Sequence, residues 1–137
     1  MNTEPLVPTG ASPFCADIDS DGDLDCFIGG WEGTVQYFQN QGNATWANFT
    51  LAVEGDGSIT NPLQSVSIAG AAPFCADFDA DGKIDCTIGN ELGNVVYYAN
   101  TGTRTAPVFT LRTGSNSPFT VVSVDAYVRP WCGDYDG

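Results

Sequence analysis

Pro13-Phe-Cys-Ala-Asp-Ile-Asp-Ser-Asp-Gly-Asp-Leu-Asp-Cys-Phe-Ile-Gly29 returns sixty residues later as Pro73-Phe-Cys-Ala-Asp-Phe-Asp-Ala-Asp-Gly-Lys-Ile-Asp-Cys-Thr-Ile-Gly89. Both stretches set aspartates at alternate positions around a glycine and bracket them with two cysteines. Alternating carboxylates converge when a chain curls, and the glycine tolerates the backbone that a sharp turn demands. Apolar residues run into and out of each loop, so the stretch reads as strand, acidic loop, strand.

Working outward, each unit is expected to hold four short strands. The first runs near Phe14 to Ile18 and the second near Cys26 to Ile28. The third is Thr34 to Phe38, matched by Asn94 to Tyr98, and the fourth is Asn48 to Val53, matched by Val108 to Arg112. Asn40-Gln41-Gly42 and Asn100-Thr101-Gly102 close the third strands, where Asn and Gly accept left-handed backbone. Gly55 to Pro62 and Gly114 to Pro118 lead onward, and Val66 to Ile68 and Val121 to Val124 are further apolar runs. Helix signals are almost absent, which makes the chain all-β. A third unit begins at Pro130-Trp-Cys-Gly-Asp-Tyr-Asp136 and runs to Gly137. The expected organisation is a lead-in over 1–12, a first repeat over 13–72, a second over 73–129 and the start of a third over 130–137.

The chain has 137 residues, 17 acidic against 4 basic side chains, no histidine and a formal charge of −13. That balance argues against nucleic acid and anionic lipid as partners, because phosphate recognition runs on Lys and Arg. Without histidine there is no Ser-His-Asp or Cys-His catalytic system and no imidazole zinc site. No apolar run is long enough to cross a membrane as a helix. Met1-Asn-Thr-Glu-Pro5 lacks the basic and apolar regions of a signal peptide, so a secreted chain implies a signal removed or a longer product. Disorder fits poorly with 42% hydrophobic and 12% aromatic residues.

The acids are concentrated. Asp17, Asp19, Asp21, Asp23 and Asp25 share one loop, Asp77, Asp79, Asp81 and Asp85 a second, and Asp134 and Asp136 start a third, so 11 of the 17 carboxylates crowd together. In Asp17-x-Asp19-x-Asp21-Gly22-x-x-Asp25 the side chains at positions 1, 3 and 5 are expected to point inward as the chain curls, with Asp25 at position 9 closing the site. Position 7, Asp23, is expected to offer its carbonyl, and in the second loop Lys83 does the same between Asp81 and Asp85. Hard oxygen donors in a flexible cage suit Ca²⁺ better than Mg²⁺ or Zn²⁺. A solvated acidic turn is the alternative. Two bound divalent ions would bring the formal charge from −13 to −9. An EF-hand is excluded because its twelfth position needs a bidentate Glu, and Ile28 and Ile88 stand there. Thrombospondin type 3 repeats share the Asp-x-Asp-x-Asp-Gly run, but they are short and nearly strandless.

The unit resembles the FG-GAP/VCBS-type repeat of integrin α-chain-like β-propellers. The resemblance rests on Ala16 to Asp25 with Ile28-Gly29, on Ala76 to Asp85 with Ile88-Gly89, and on Gly33 to Asn40 and Gly93 to Asn100. It implies two complete four-stranded propeller-type blades plus the start of a third, each with calcium in a hairpin loop. It also implies roles in extracellular adhesion, ligand binding or scaffolding. Cysteines at the loop flanks and so few units depart from that family pattern.

Cys15 with Cys26, and Cys75 with Cys86, lie at the base of each hairpin if the flanking strands are antiparallel. Each bridge would contribute about 3 kcal/mol in the chain-entropy model. Reduced, buried thiols are the alternative. Disulfides and calcium loops both belong to the extracellular space. Cys132 is the odd thiol, left free or bonded to another molecule. Asn43-Ala-Thr45 and Asn48-Phe-Thr50 are N-glycosylation sequons.

Two units and a fraction cannot close a propeller, which takes roughly four to eight blades. Tyr37, Phe38 and Val95 to Tyr98 suggest strands apolar on both faces, which want a neighbour on each side. A longer chain, a ring of copies or a head-to-tail filament would supply it, and the start of a third hairpin invites completion by the first strand of the next molecule. The leading functional expectation is therefore a non-enzymatic, secreted, calcium-stabilised structural or adhesion protein completed by self-assembly or by a longer chain. The runner-up is a glycan- or protein-binding propeller module of a larger secreted protein or enzyme. Trp31, Trp46 and Trp131 could stack on sugars, although tryptophan in such strands is usually core. Catalysis is disfavoured, because the dense carboxylates are explained by calcium and Glu32, Glu54 and Glu91 are isolated.

Overall fold

The computed structural model describes residues 8–55 and 57–134. Eight strands run in order: β1 (Ser12–Ala16), β2 (Asp25–Gly29), β3 (Val35–Asn40), β4 (Phe49–Leu51), β5 (Ala72–Ala76), β6 (Asp85–Gly89), β7 (Val95–Asn100) and β8 (Phe109–Arg112). They form two four-stranded antiparallel meanders, β1-β2-β3-β4 and β5-β6-β7-β8. The only helical element among the described residues is a single 3₁₀ turn, Gly114–Asn116. The chain is all-β, as its pattern of β-branched and aromatic residues implies.

The duplication extends to register. Cys15 lies opposite Cys26, and Cys26 opposite Phe38; sixty positions on, Cys75 lies opposite Cys86, and Cys86 opposite Tyr98. The first strand ends earlier than expected, at Ala16, and Ile18 belongs to the acidic loop, where it is buried at 2% exposure. An apolar residue between Asp17 and Asp19 thus anchors the loop to the core while its neighbours face away. The fourth strands are also shorter than expected, because pairing of β3 with β4 stops at Phe38 and Leu51.

Period-2 alternation assigns the faces. In the first sheet Phe27 and Tyr37 share one face, and Cys26 and Phe38 share the other. In the second sheet Thr87 and Tyr97 correspond to the first pair, and Cys86 and Tyr98 to the second. The core joins unlike faces: Phe27, Val35 and Tyr37 of the first sheet cluster with Cys86, Ile88, Tyr98 and Phe109 of the second. The Phe27 and Phe109 rings meet edge-on at 6.3 Å. Ile59, Leu63 and Val66 of the connector fill the same core. The first strands of the two sheets come together through Phe14 and Phe74, with ring centroids 5.1 Å apart. All of β6 is buried, consistent with cover on both of its faces. Phe119 provides part of that cover on the far face, at 5.9 Å from the Tyr97 ring.

The connectors repeat their seating too. The Ala71 and Ile68 amides donate to the Gly30 and Gly33 carbonyls; the Val128 and Val124 amides donate to the Asn90 and Gly93 carbonyls. A Cβ on Gly29 would stand 2.2 Å from the Ala71 carbonyl oxygen, and one on Gly89 would stand 2.1 Å from that of Val128. Only glycine allows this approach. Val66 to Ile68 and Val121 to Val124 are therefore connector segments, tied down by isolated bonds rather than strands.

Candidate metal centres

Each acidic loop joins the first two strands of its sheet, and the disulfide at its base fixes the span. Cys15–Cys26 and Cys75–Cys86 are formed as expected, each across a Cα separation of 4.1 Å. Inside the first loop the Asp21 and Gly22 amides donate to the two carboxylate oxygens of Asp17, at 3.1 and 3.2 Å. In the second loop Asp77 receives the Asp81 and Gly82 amides, at 3.2 and 2.9 Å. The turn needs left-handed backbone at Gly22 (φ 98°) and Gly82 (φ 81°). It also needs it at Ser20 (φ 58°) and Ala80 (φ 60°), two non-glycine positions that the sequence did not flag.

Carboxylate oxygens of Asp17, Asp19 and Asp21 lie within 4.8 Å of one another, and so do those of Asp77, Asp79 and Asp85. That separation fits one ion bound at about 2.3–2.6 Å from each oxygen. Two further atoms favour a cation in the first loop. Asp19 Oδ1 and Asp23 Oδ1 are sealed from solvent with no hydrogen-bond partner. A buried carboxylate oxygen without a donor is costly, and a cation relieves that cost. The donor set therefore fits Ca²⁺, a hard ion that takes carboxylate and carbonyl oxygens.

The closing aspartates are anchored by groups that the sequence reading missed. Asp25 Oδ1 accepts the Asn40 amide at 2.8 Å, and Oδ2 accepts the Tyr37 hydroxyl at 2.9 Å. Asp85 accepts the Asn100 amide at 2.7 Å and the Tyr97 hydroxyl at 2.8 Å. The signal was present, since Tyr and Asn recur at the same positions of both units. The Gln39 side-chain amide adds a bond to Asp19 Oδ2 at 2.7 Å.

Burial pushes the Asp25 carboxyl above its ordinary value, against the pull of the Asn40 amide and Tyr37 hydroxyl. Burial, then the charges of Asp21 and Asp19, push Asp23 the same way. Burial and the facing carboxylates hold Tyr37 and Tyr97 protonated far beyond the usual phenol range. Lys83 pulls Asp81 down, and Asp81 in turn raises Lys83.

Position 7 departs from a purely main-chain role. Asp23 buries its side chain, and Lys83 extends its ammonium to Asp81 Oδ2 at 2.9 Å and to the Asn100 carbonyl at 2.8 Å. Asp134 is exposed and joins neither cluster; Asp136 lies outside the described residues. Cys132 is a free, exposed thiol.

Asn43 and Asn48 are both exposed. Asn43 Oδ1 accepts bonds from the Thr45 and Trp46 amides and the Thr45 hydroxyl, shaping the turn between β3 and β4. Trp31, Trp46 and Trp131 are 54%, 80% and 69% exposed, so none is core. Glu32 receives the Thr9 amide on both oxygens at 3.1 Å, a bond that ties the entry segment to the loop after β2. Among the described residues no helix is long and apolar enough to cross a membrane. No family model, curated protein or solved structure matches the chain.

Proposed function

We propose that this chain is an extracellular, calcium-stabilised β-repeat protein with a structural or adhesive role and no catalytic activity. One observation carries the reading: the same acidic loop stands at the same place in both sheets, held by a disulfide, with carboxylate oxygens spaced for one ion. Calcium would neutralise each cluster, and the disulfides and the calcium demand both suit an oxidising, calcium-rich space. This is also the setting of the FG-GAP/VCBS-type repeats that the sequence resembles. In that reading the two sheets are consecutive blades with β1 and β5 innermost.

The stacking direction supports assembly. Unlike faces meet between the sheets, so the contact is heterologous and can propagate. The far face of the first sheet, with Cys26, Ile28 and Phe38 half-buried, remains open to a further sheet from another copy or from a longer chain. Melting in calcium and in EDTA tests the ion: saturation at a hundredfold excess over Kd stabilises by about 2.7 kcal/mol per site, so EDTA must lower the melting temperature markedly. Electron microscopy of the same samples tests assembly, with rings or filaments expected in calcium. An unchanged melting temperature refutes the calcium reading, and monomers at every concentration refute self-assembly.

A second reading, a glycan- or protein-binding module, is favoured by the three exposed tryptophans. Exposed indoles offer flat apolar faces with a donor at the edge, the chemistry that stacks on sugar rings. A glycan array with tryptophan-fluorescence titration tests it, and no binding across the array removes it.

A further inference from the structure

The two loops are copies in backbone but not in charge. The first carries five aspartates; the second carries four and a lysine, which makes the formal charges −5 and −3. The difference sits at position 7. In the second loop the Lys83 ammonium bridges Asp81 Oδ2 and the Asn100 carbonyl. In the first loop Asp23 takes that place, 7% exposed, its carboxylate bonded by the Asn40 side chain while Oδ1 is sealed without a hydrogen-bond partner. Asp19 Oδ1 is sealed in the same way. No orphan oxygen of this kind occurs in the second loop among the described residues.

The converging oxygens differ accordingly. Asp21 belongs to the first set, but its counterpart Asp81 is absent from the second, where Asp85 completes the group. Pairing with Lys83 explains the change, because a carboxylate that holds an ammonium is a poorer ligand for a metal.

Resting on the calcium reading above, we propose that the two sites are unequal: the first loop is the tight cation site, its Asp17, Asp19 and Asp21 oxygens backed by the added negative charge of Asp23, whereas Lys83 is a tethered cation that partly replaces metal in the second. Limiting calcium then fills the first loop first. The second unit keeps part of its charge balance without an ion. Oxygen-cage affinities for calcium shift by decades with the number of charged ligands, so a separation of at least about tenfold in Kd is expected.

Calorimetric titration of Ca²⁺ into the EDTA-stripped whole chain tests this. Wild type should show two classes of site separated by about tenfold or more. Asp23→Asn keeps the shape but removes the charge, and should weaken the tight class at least about tenfold while sparing the weak one. Lys83→Met should tighten the weak class several-fold. Asp77→Asn should abolish the weak class and so assign it to the second loop. Two equal sites that ignore both position-7 substitutions overturn the inference and restore a main-chain role for that position, with the calcium reading intact. Wild type that binds no calcium refutes the calcium reading itself. If Asp23→Asn fails to fold, Lys83→Met decides alone, and an unmoved weak class overturns the inference.

Discussion

Replacing Tyr37 by Phe removes one oxygen atom from the core and nothing else. That oxygen donates to Asp25 Oδ2 at 2.9 Å, and Asp25 is 1% exposed. A hydrogen bond to a charged acceptor contributes about 1.5–3 kcal/mol. Its loss leaves a buried carboxylate oxygen without that donor, so the upper half of the range applies in the metal-free chain. Unfolding entropy near 2.1 cal/mol/K per residue gives about 0.29 kcal/mol/K for 137 residues. The expected fall in melting temperature in EDTA is therefore about 8–10 °C. Tyr97→Phe should behave alike, since its hydroxyl meets Asp85 at 2.8 Å. Differential scanning calorimetry of both variants, together with a double-mutant cycle against Asp25→Asn, isolates the pair. If neither variant moves the midpoint and the cycle gives no coupling, the closing aspartates are not anchored as described.

Replacing Cys15 and Cys26 together by Ala should cost about 3 kcal/mol, from the chain-entropy value for an 11-residue separation, read as a lower midpoint in urea. Gly89→Ala should destabilise by several kcal/mol, because its Cβ would meet the Val128 carbonyl oxygen at 2.1 Å and backbone must move; a wild-type midpoint would refute that seating. The metal-free chain should lose stability as pH rises from 3.8 through the raised folded values of Asp23 and Asp25, because the folded state then holds protons that the unfolded state has released. Excess calcium should reverse that slope, since protons compete with the ion; equal slopes with calcium and with EDTA would contradict it. Glu32, lowered by its bond to Thr9, acts oppositely and only as pH falls below 4.5.

The parts of the fold legible in the sequence were those written twice. The sixty-residue period, the cysteine pairs and the valine-and-aromatic runs of β3 and β7 are local patterns, and the structure follows them. What sequence alone left hidden depends on contacts across distance. Ile18 reads as strand by its apolarity, yet it packs inward from a loop because the core lies beneath the acidic turn. Lys83 reads as a bystander at a main-chain position, yet its four-carbon stem reaches the Asn100 carbonyl seventeen residues away. The tryptophans read as core by their size, but they stand on loops and on the segment after the last strand, where no sheet covers them. Tyr37 and Asn40 were visible as repeats of Tyr97 and Asn100, but only the turn of the third strand back to the loop shows that both meet the closing carboxylate.

The ion itself is the most direct test. Crystals grown in calcium, with anomalous difference maps recorded at long wavelength, should show one peak in each loop. The first should lie about 2.3–2.6 Å from oxygens of Asp17, Asp19 and Asp21, and the second at the same range from Asp77 and Asp79. Well-ordered loops with no anomalous peak in either would contradict the calcium-centred account.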